Sequence, residues 1–145
     1  MKTCVIAFVI VVLVGVGFQA THALRYTVHN TPVTFFEAWQ QCIAMGGTLP
    51  SIQTPYQNRK IHAAIKKTGV YSQWWLSGVD LGMEGSWVWL STNKPVGSPF
   101  GFINFSLGEP NNIAGSEHCL AMDLGGKWFD QWCNMTCFFV CEYKS

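Results

Sequence analysis

Cysteine use constrains this chain more than any other feature. Six cysteines in 145 residues point to an oxidised, disulfide-held fold. The amino end agrees with that compartment. Met1-Lys2 gives a short positive start, and Val5 to Gly17 runs without a charge or a hydrogen-bonding side chain. That run is too short to cross about 30 Å of hydrocarbon, which needs roughly 20 apolar residues. Small residues follow at Ala20, Thr21 and Ala23, so residues 1–23 read as a secretory signal peptide and 24–145 as the secreted, extracellular domain. Cys4 leaves with the signal. Cys42, Cys119, Cys133, Cys137 and Cys141 remain, and spacing alone leaves many pairings open.

Of the nine basic residues only Lys2 lies in the signal, so the remaining ones balance the eight acidic residues. No basic excess argues for nucleic acid or an anionic membrane. A hydrophobic fraction of 49% is too high for disorder, and no segment after the signal is apolar enough to span a bilayer. About 120 residues bury one core, so a single domain is expected.

Two helices come first. Thr34 with Glu37 forms a capping-box pattern, Phe35, Trp39 and Cys42 follow at helical spacing, and Gly46-Gly47 stops the run. Thr54, with Pro55 at the first helical position and Gln57 after it, opens a second helix with Ile61 and Ile65 inward and Gly69 at its end. Arg59, Lys60, Lys66 and Lys67 make a basic stripe on it, read as a solvated face, with an anion-binding patch as the alternative. Strand patterns are expected at Leu24–His29, Trp74–Val79, Trp87–Leu90, His118–Leu124, Lys127–Trp132 and Cys137–Tyr143. Helices followed by strands give an α+β fold. Between Leu90 and His118 lies a long Pro- and Gly-rich stretch, the first place to seek a site.

Several segments, taken in order, resemble the C-type lectin-like domain over Tyr26 to Glu142. They are the first helix with Cys42, Trp-Leu-Ser-Gly at 75–78, Trp87-Val-Trp89, Glu-Pro-Asn at 109–111, the Cys119-to-Cys133 spacing, and Phe-Phe-Val-Cys-Glu at 138–142. The chain is similar to the short, secreted, single-domain members common in insects. The resemblance implies two helices packed on small antiparallel sheets with a long ligand-binding loop and two disulfides, Cys42–Cys141 and Cys119–Cys133. By loop-closure entropy such bridges contribute roughly 4.7 and 3 kcal/mol. Cys137 is then left as a buried free thiol; if 137–141 is a strand, its α-carbon is about 13 Å from that of Cys141, too far to bridge.

The resemblance also implies a calcium-dependent sugar site. Glu109, Asn111, Glu117 and Asp130 would supply both the metal ligands and the sugar contacts. The Glu-Pro-Asn form is associated with mannose-type ligands. Calcium takes six to eight oxygens, and three carboxylates without a cation would repel one another. One departure stands out: the triplet Trp128-Phe129-Asp130 has Phe129 where the family carries an asparagine, so an oxygen ligand is missing. An auxiliary calcium site would use Asp80, Glu84, Asn112 and Glu117, with His118 where a carboxylate would help. Trp75, Trp87, Trp89 and Trp128 fall on core positions of the family.

Other chemistry is not expected. His29, His62 and His118 are scattered without zinc spacing, and the contiguous Ser116-Glu117-His118 cannot line up as a catalytic triad. Two glycosylation sequons begin at Asn104 and Asn134. The expected function is thus calcium-dependent, mannose-type binding of a carbohydrate or glycoprotein, not catalysis. The alternative is a lectin-like domain that binds a protein partner, with the calcium and sugar site degraded at Phe129.

Overall fold

A computed structural model describes residues 23–145. The expected signal peptide therefore falls, but for Ala23, outside the described residues. Strand β1 (Leu24–Val33) leads into helices α1 (Phe35–Ala44) and α2 (Pro55–Lys66). Strands β2 (Gln73–Val79), β3 (Val88–Trp89) and β4 (Lys94–Pro95) follow, then a 3-10 turn at Ile113–Gly115. The chain ends with β5 (Glu117–Asp123), β6 (Trp128–Trp132) and β7 (Cys137–Lys144).

Both helix starts use the sequence devices expected of them. The Glu37 carboxylate accepts the Thr34 backbone N–H at 2.8 Å and the Thr34 hydroxyl at 2.8 Å, and Thr54 Oγ1 accepts the Gln57 N–H at 3.2 Å. The two bonds from backbone N–H groups satisfy donors that a helix start leaves without an intrahelical partner, while the hydroxyl bond fixes the Thr34 and Glu37 side chains together. Gln57 also reaches back to the N–H groups of Gln53 and Thr54.

The strands join into one sheet in the order β1-β7-β2-β3-β4, with β5 paired to β2 and β6 paired to β5. All pairs are antiparallel except β2 beside β7, where Trp74 and Trp75 face Phe138 and Phe139 in parallel register. Strand β2 is central and buried on both faces from Trp74 to Val79, as its apolar run requires. Strand β1 extends four residues past the expected His29 because its pairing with β7 resumes, after an irregularity, at Val33 opposite Cys137.

The sheet separates two apolar layers. Phe35, Ala38 and Cys42 of α1 pack with Trp75, Ala121 and Phe139 on one side. Ile61 and Ile65 of α2 pack with Trp74, Leu76, Trp89, Leu120 and Trp128 on the other. All four tryptophans assigned to the core are buried, with Trp87 at 8% exposure and the others at 0%. Each fully buried large side chain contributes about 1.5–3 kcal/mol relative to exposure. The pairings Cys42–Cys141 and Cys119–Cys133 are both present, across 99 and 14 residues of sequence, and Cys137 is a buried free cysteine. The first bridge ties α1 to the last strand; the second ties β5 to the turn after β6.

Helix α2 also anchors the strands that carry the site. The buried Asn58 donates to Gly126 O at 3.1 Å and accepts from Trp128 Nε1 at 2.8 Å, and His62 Nε2 lies 2.9 Å from Leu124 O. Gly126 has φ +80°, and a Cβ there would sit 2.8 Å from the His62 ring. Only glycine permits both the left-handed turn and the close approach. Asp130 follows two residues after the Trp128 that this network fixes.

Candidate functional site

Glu117 opens β5 and Asp130 lies within β6, and the register Glu117↔Trp132 and Leu120↔Asp130 sets the separation between them. Glu117 is 8% exposed and Asp130 only 2%, so both carboxylates need partners. The long loop supplies them as backbone N–H groups. Asp130 Oδ1 accepts from Asn111 N at 3.0 Å and Oδ2 from Asn112 N at 2.7 Å; Glu117 Oε2 accepts from Ile113 N at 2.9 Å. These three bonds hold a loop with two non-glycine residues in the left-handed region, Asn112 at φ 46° and Ala114 at φ 56°. Such residues cost about 1–3 kcal/mol each and persist only where the surroundings fix them.

The Glu109–Pro110 bond is cis. Glu109 Oε1 accepts from Asn111 Nδ2 at 2.7 Å, and Asn111 Oδ1 accepts from Ile113 N at 3.1 Å. Glu109 also contacts the Asp130 carboxylate. Its own burial first, then Asp130 and Glu117, push its carboxyl up to about 7. The structure thus brings together all four residues expected to form the principal site. Their chemistry is a set of hard oxygen donors with excess negative charge, which fits calcium. Phe129 contributes no oxygen; its half-buried ring packs against the apolar layer of α1.

The auxiliary set is arranged differently. Asp80 and Glu84 come together with His118, their donor atoms all within 4.8 Å of one another. His118 Nδ1 lies 3.0 Å from Asp80 Oδ1 and 3.3 Å from Glu84 Oε2. The hydrogen bond to Asp80 chiefly raises the His118 pKa, against some desolvation. Burial first, then Asp80, raises the Glu84 pKa, while His118 and Asn112 oppose it. Asn112 Oδ1 accepts from Glu117 N at 3.1 Å, and Glu117 turns toward Ile113. Asp80 and Glu84 direct carboxylate oxygens into this corner, an imidazole nitrogen stands between them, and the Gly115 backbone also hydrogen-bonds the His118 ring. The imidazole nitrogen in this set departs from the all-oxygen ligation that calcium favours. The sequence marked His118 as a departure from the pattern but gave no sign that Asn112 spends its oxygen on the backbone.

The sequons differ too. Asn134 is exposed in the turn between β6 and β7. Asn104 is half-buried, donates to Gly126 O at 2.8 Å and accepts from Lys127 Nζ at 2.9 Å.

Two helices on one sheet, two bridges and a carboxylate-held long loop define a C-type lectin-like domain. The comparisons agree. The family profile described as "Lectin C-type domain" matches residues 31–143, and the chain belongs to that family. It is 30% identical over 129 residues to perlucin of Haliotis laevigata, covering 87% of this chain and 80% of perlucin. It is 33% identical to pulmonary surfactant-associated protein D of Bos taurus over 76% of this chain but only 28% of that protein. Among solved structures, the carbohydrate-recognition domain of the mouse scavenger receptor C-type lectin superposes with a TM-score of 0.74 at 25% identity, covering 83% of this chain and 90% of that one. The family and fold are those of non-enzymatic, lectin-like carbohydrate-binding domains. Among the described residues no helix is long and apolar enough to cross a membrane.

Proposed function

We propose that the protein is a secreted, calcium-dependent lectin that binds mannose-type sugars of glycans or glycoproteins at Glu109, Asn111, Glu117 and Asp130. The observation that carries this reading is the convergence of three carboxylates and one amide around a single loop, with Glu109 raised to about 7 by burial and by its acidic neighbours. A bound calcium would relieve that crowding and supply direct coordination of sugar hydroxyls. Glu109 and Asn111 would orient vicinal hydroxyls, the carboxylate accepting and the amide donating. Asp130 and Glu117 would keep the loop backbone in place through the N–H groups they already hold. Much of the site is therefore pre-organised, which lowers the ordering cost of binding.

A calorimetric titration with calcium, then with mannose and with galactose, tests the reading. Calcium binding followed by mannose binding, both abolished by Glu109→Ala, is the expected result. No heat with calcium, and no sugar binding in its presence, would refute it. One observation favours a second reading, a metal-free lectin-like domain that binds a protein. Phe129 removes an oxygen, and the loop flanking the site exposes Leu107 fully and Ile113 at 57%. In that case hydrogen exchange of 109–117 would be the same with and without chelator.

A further inference from the structure

We infer that the groove between α2 and the edge strand β1 is a second, calcium-independent binding surface for a linear sulfated polysaccharide. Two adjoining cavities of about 570 and 370 Å³ share Leu24, Tyr26 and Lys60 and run along the helix. Lys60 and Lys67 line the larger one, two helical turns and so about 10.5 Å apart. Arg59 and Lys66 stand beside them on the same exposed helix, in which no acidic residue occurs. Arg25 borders the groove through its strand position only: its guanidinium lies 4.3 Å from the centre of the Tyr143 ring, on the face of β1 that packs toward α1, so the groove's cations are those of the helix. No Asp or Glu lines either cavity. Five of the eight carboxylates, Asp80, Glu84, Glu109, Glu117 and Asp130, lie at the long loop and its neighbouring corner, and the one beside the groove, Glu142 next to Tyr26, is buried.

The balance of eight basic and eight acidic residues over 24–145 thus conceals an uneven surface. So small a net charge gathers no polyanion at long range, and its field is screened within about 8 Å at physiological ionic strength. The partner must bring its charges into register with the row itself. A sulfated polysaccharide does so, because it repeats anionic groups along a narrow, flexible chain that enters a groove. Tyr56, 61% exposed at the other end, has the Lys60 ammonium 5.8 Å from its ring centre on one face, which leaves the opposite face for a sugar. A planar bilayer meets only the rim of such a groove, and duplex nucleic acid finds no wide basic face.

Heparin is the probe, applied to the secreted protein in EDTA at physiological salt. Binding is expected to persist in chelator and to weaken steeply with added salt. Lys60→Glu/Lys67→Glu should lower heparin affinity at least tenfold while mannose binding in calcium is unchanged; both side chains are exposed, and a thermal melt checks the fold. Lys60→Ala/Lys67→Ala gives a milder loss in the same direction. Glu109→Ala should keep heparin binding, which separates this surface from the calcium site. The inference is overturned if heparin does not bind, if chelator removes binding, or if the charge-reversed protein binds like the parent. Equal affinity for phosphatidylserine vesicles or duplex DNA at the same salt would also overturn it, since the groove would then be a non-specific cationic strip.

Discussion

Acidification should weaken calcium binding from an unusually high pH, and Glu109 sets where the loss begins. Its carboxyl is pushed up to about 7, by burial first and by the Asp130 and Glu117 carboxylates second. The raised value favours the protonated acid, and a protonated carboxyl is a poor metal ligand. Below that pKa each pH unit therefore removes a factor of about ten in affinity. Relative to pH 8, the calcium dissociation constant should rise about twofold at pH 7, about tenfold at pH 6 and about a hundredfold at pH 5. A glutamate at its ordinary value of about 4.3 would leave affinity nearly flat across that range. Calorimetry at the four pH values reads the slope. His118 sits between Asp80 and Glu84 in the adjacent corner, so the series is repeated in His118→Gln to remove the nearby imidazole. Glu109→Gln should lose most of the affinity together with the slope. A dissociation constant unchanged between pH 8 and pH 6 would refute the crowded-carboxylate account.

Phe129→Asn should gain roughly tenfold to a hundredfold in calcium-dependent sugar affinity if an oxygen is recovered, at a cost of about 1–3 kcal/mol from the ring's lost packing; isotherms on folded protein with parallel thermal melts decide. Cys137, whose thiol burial pushes up to about 12, should resist thiol reagents in the native state and be the one cysteine of residues 24–145 labelled under denaturing, non-reducing conditions. Glu142 is raised to about 7 by burial, against opposing effects of Lys144 and Ser51, so its contribution to folding is full below about pH 4.5 and lost as pH rises through 7. Glu142→Gln should therefore stabilise the domain by about 3 kcal/mol at pH 8 and by little at pH 4, measured by urea denaturation at both values. Glycan mapping of protein secreted from eukaryotic cells should find Asn134 modified and Asn104 largely bare, because a glycan at Asn104 must disturb the bond to Gly126 O.

The helices were legible because their signals are local. Thr34 with Glu37 and Thr54 with Gln57 each specify a start within one turn, and the structure keeps both. The sheet was less so. Val33 belongs to β1 only because Cys137 lies opposite it, a partner more than a hundred residues away, and no pattern in 30–33 announces that pairing. Likewise β4 is Lys94–Pro95, a strand whose composition reads as turn and which exists by pairing with β3.

The site shows the same division between residue identity and residue use. Glu109, Asn111, Glu117 and Asp130 could be named from the sequence through their resemblance to a motif, and they converge. Which atom serves which partner was not legible, because it depends on the loop path. With Asn112 left-handed, its backbone N–H faces Asp130 while its side-chain oxygen is drawn to Glu117 N. The Asn112 amide thereby closes the loop with its oxygen while its side chain also hydrogen-bonds Glu84. His118 takes up the vacant polar role with a nitrogen, and its contact with both carboxylates supplies positive charge when protonated. The cluster at Glu109 instead gathers three carboxylates whose mutual repulsion the Asn111 amide offsets only in part, and that crowding is the physical ground of the proposed cation there.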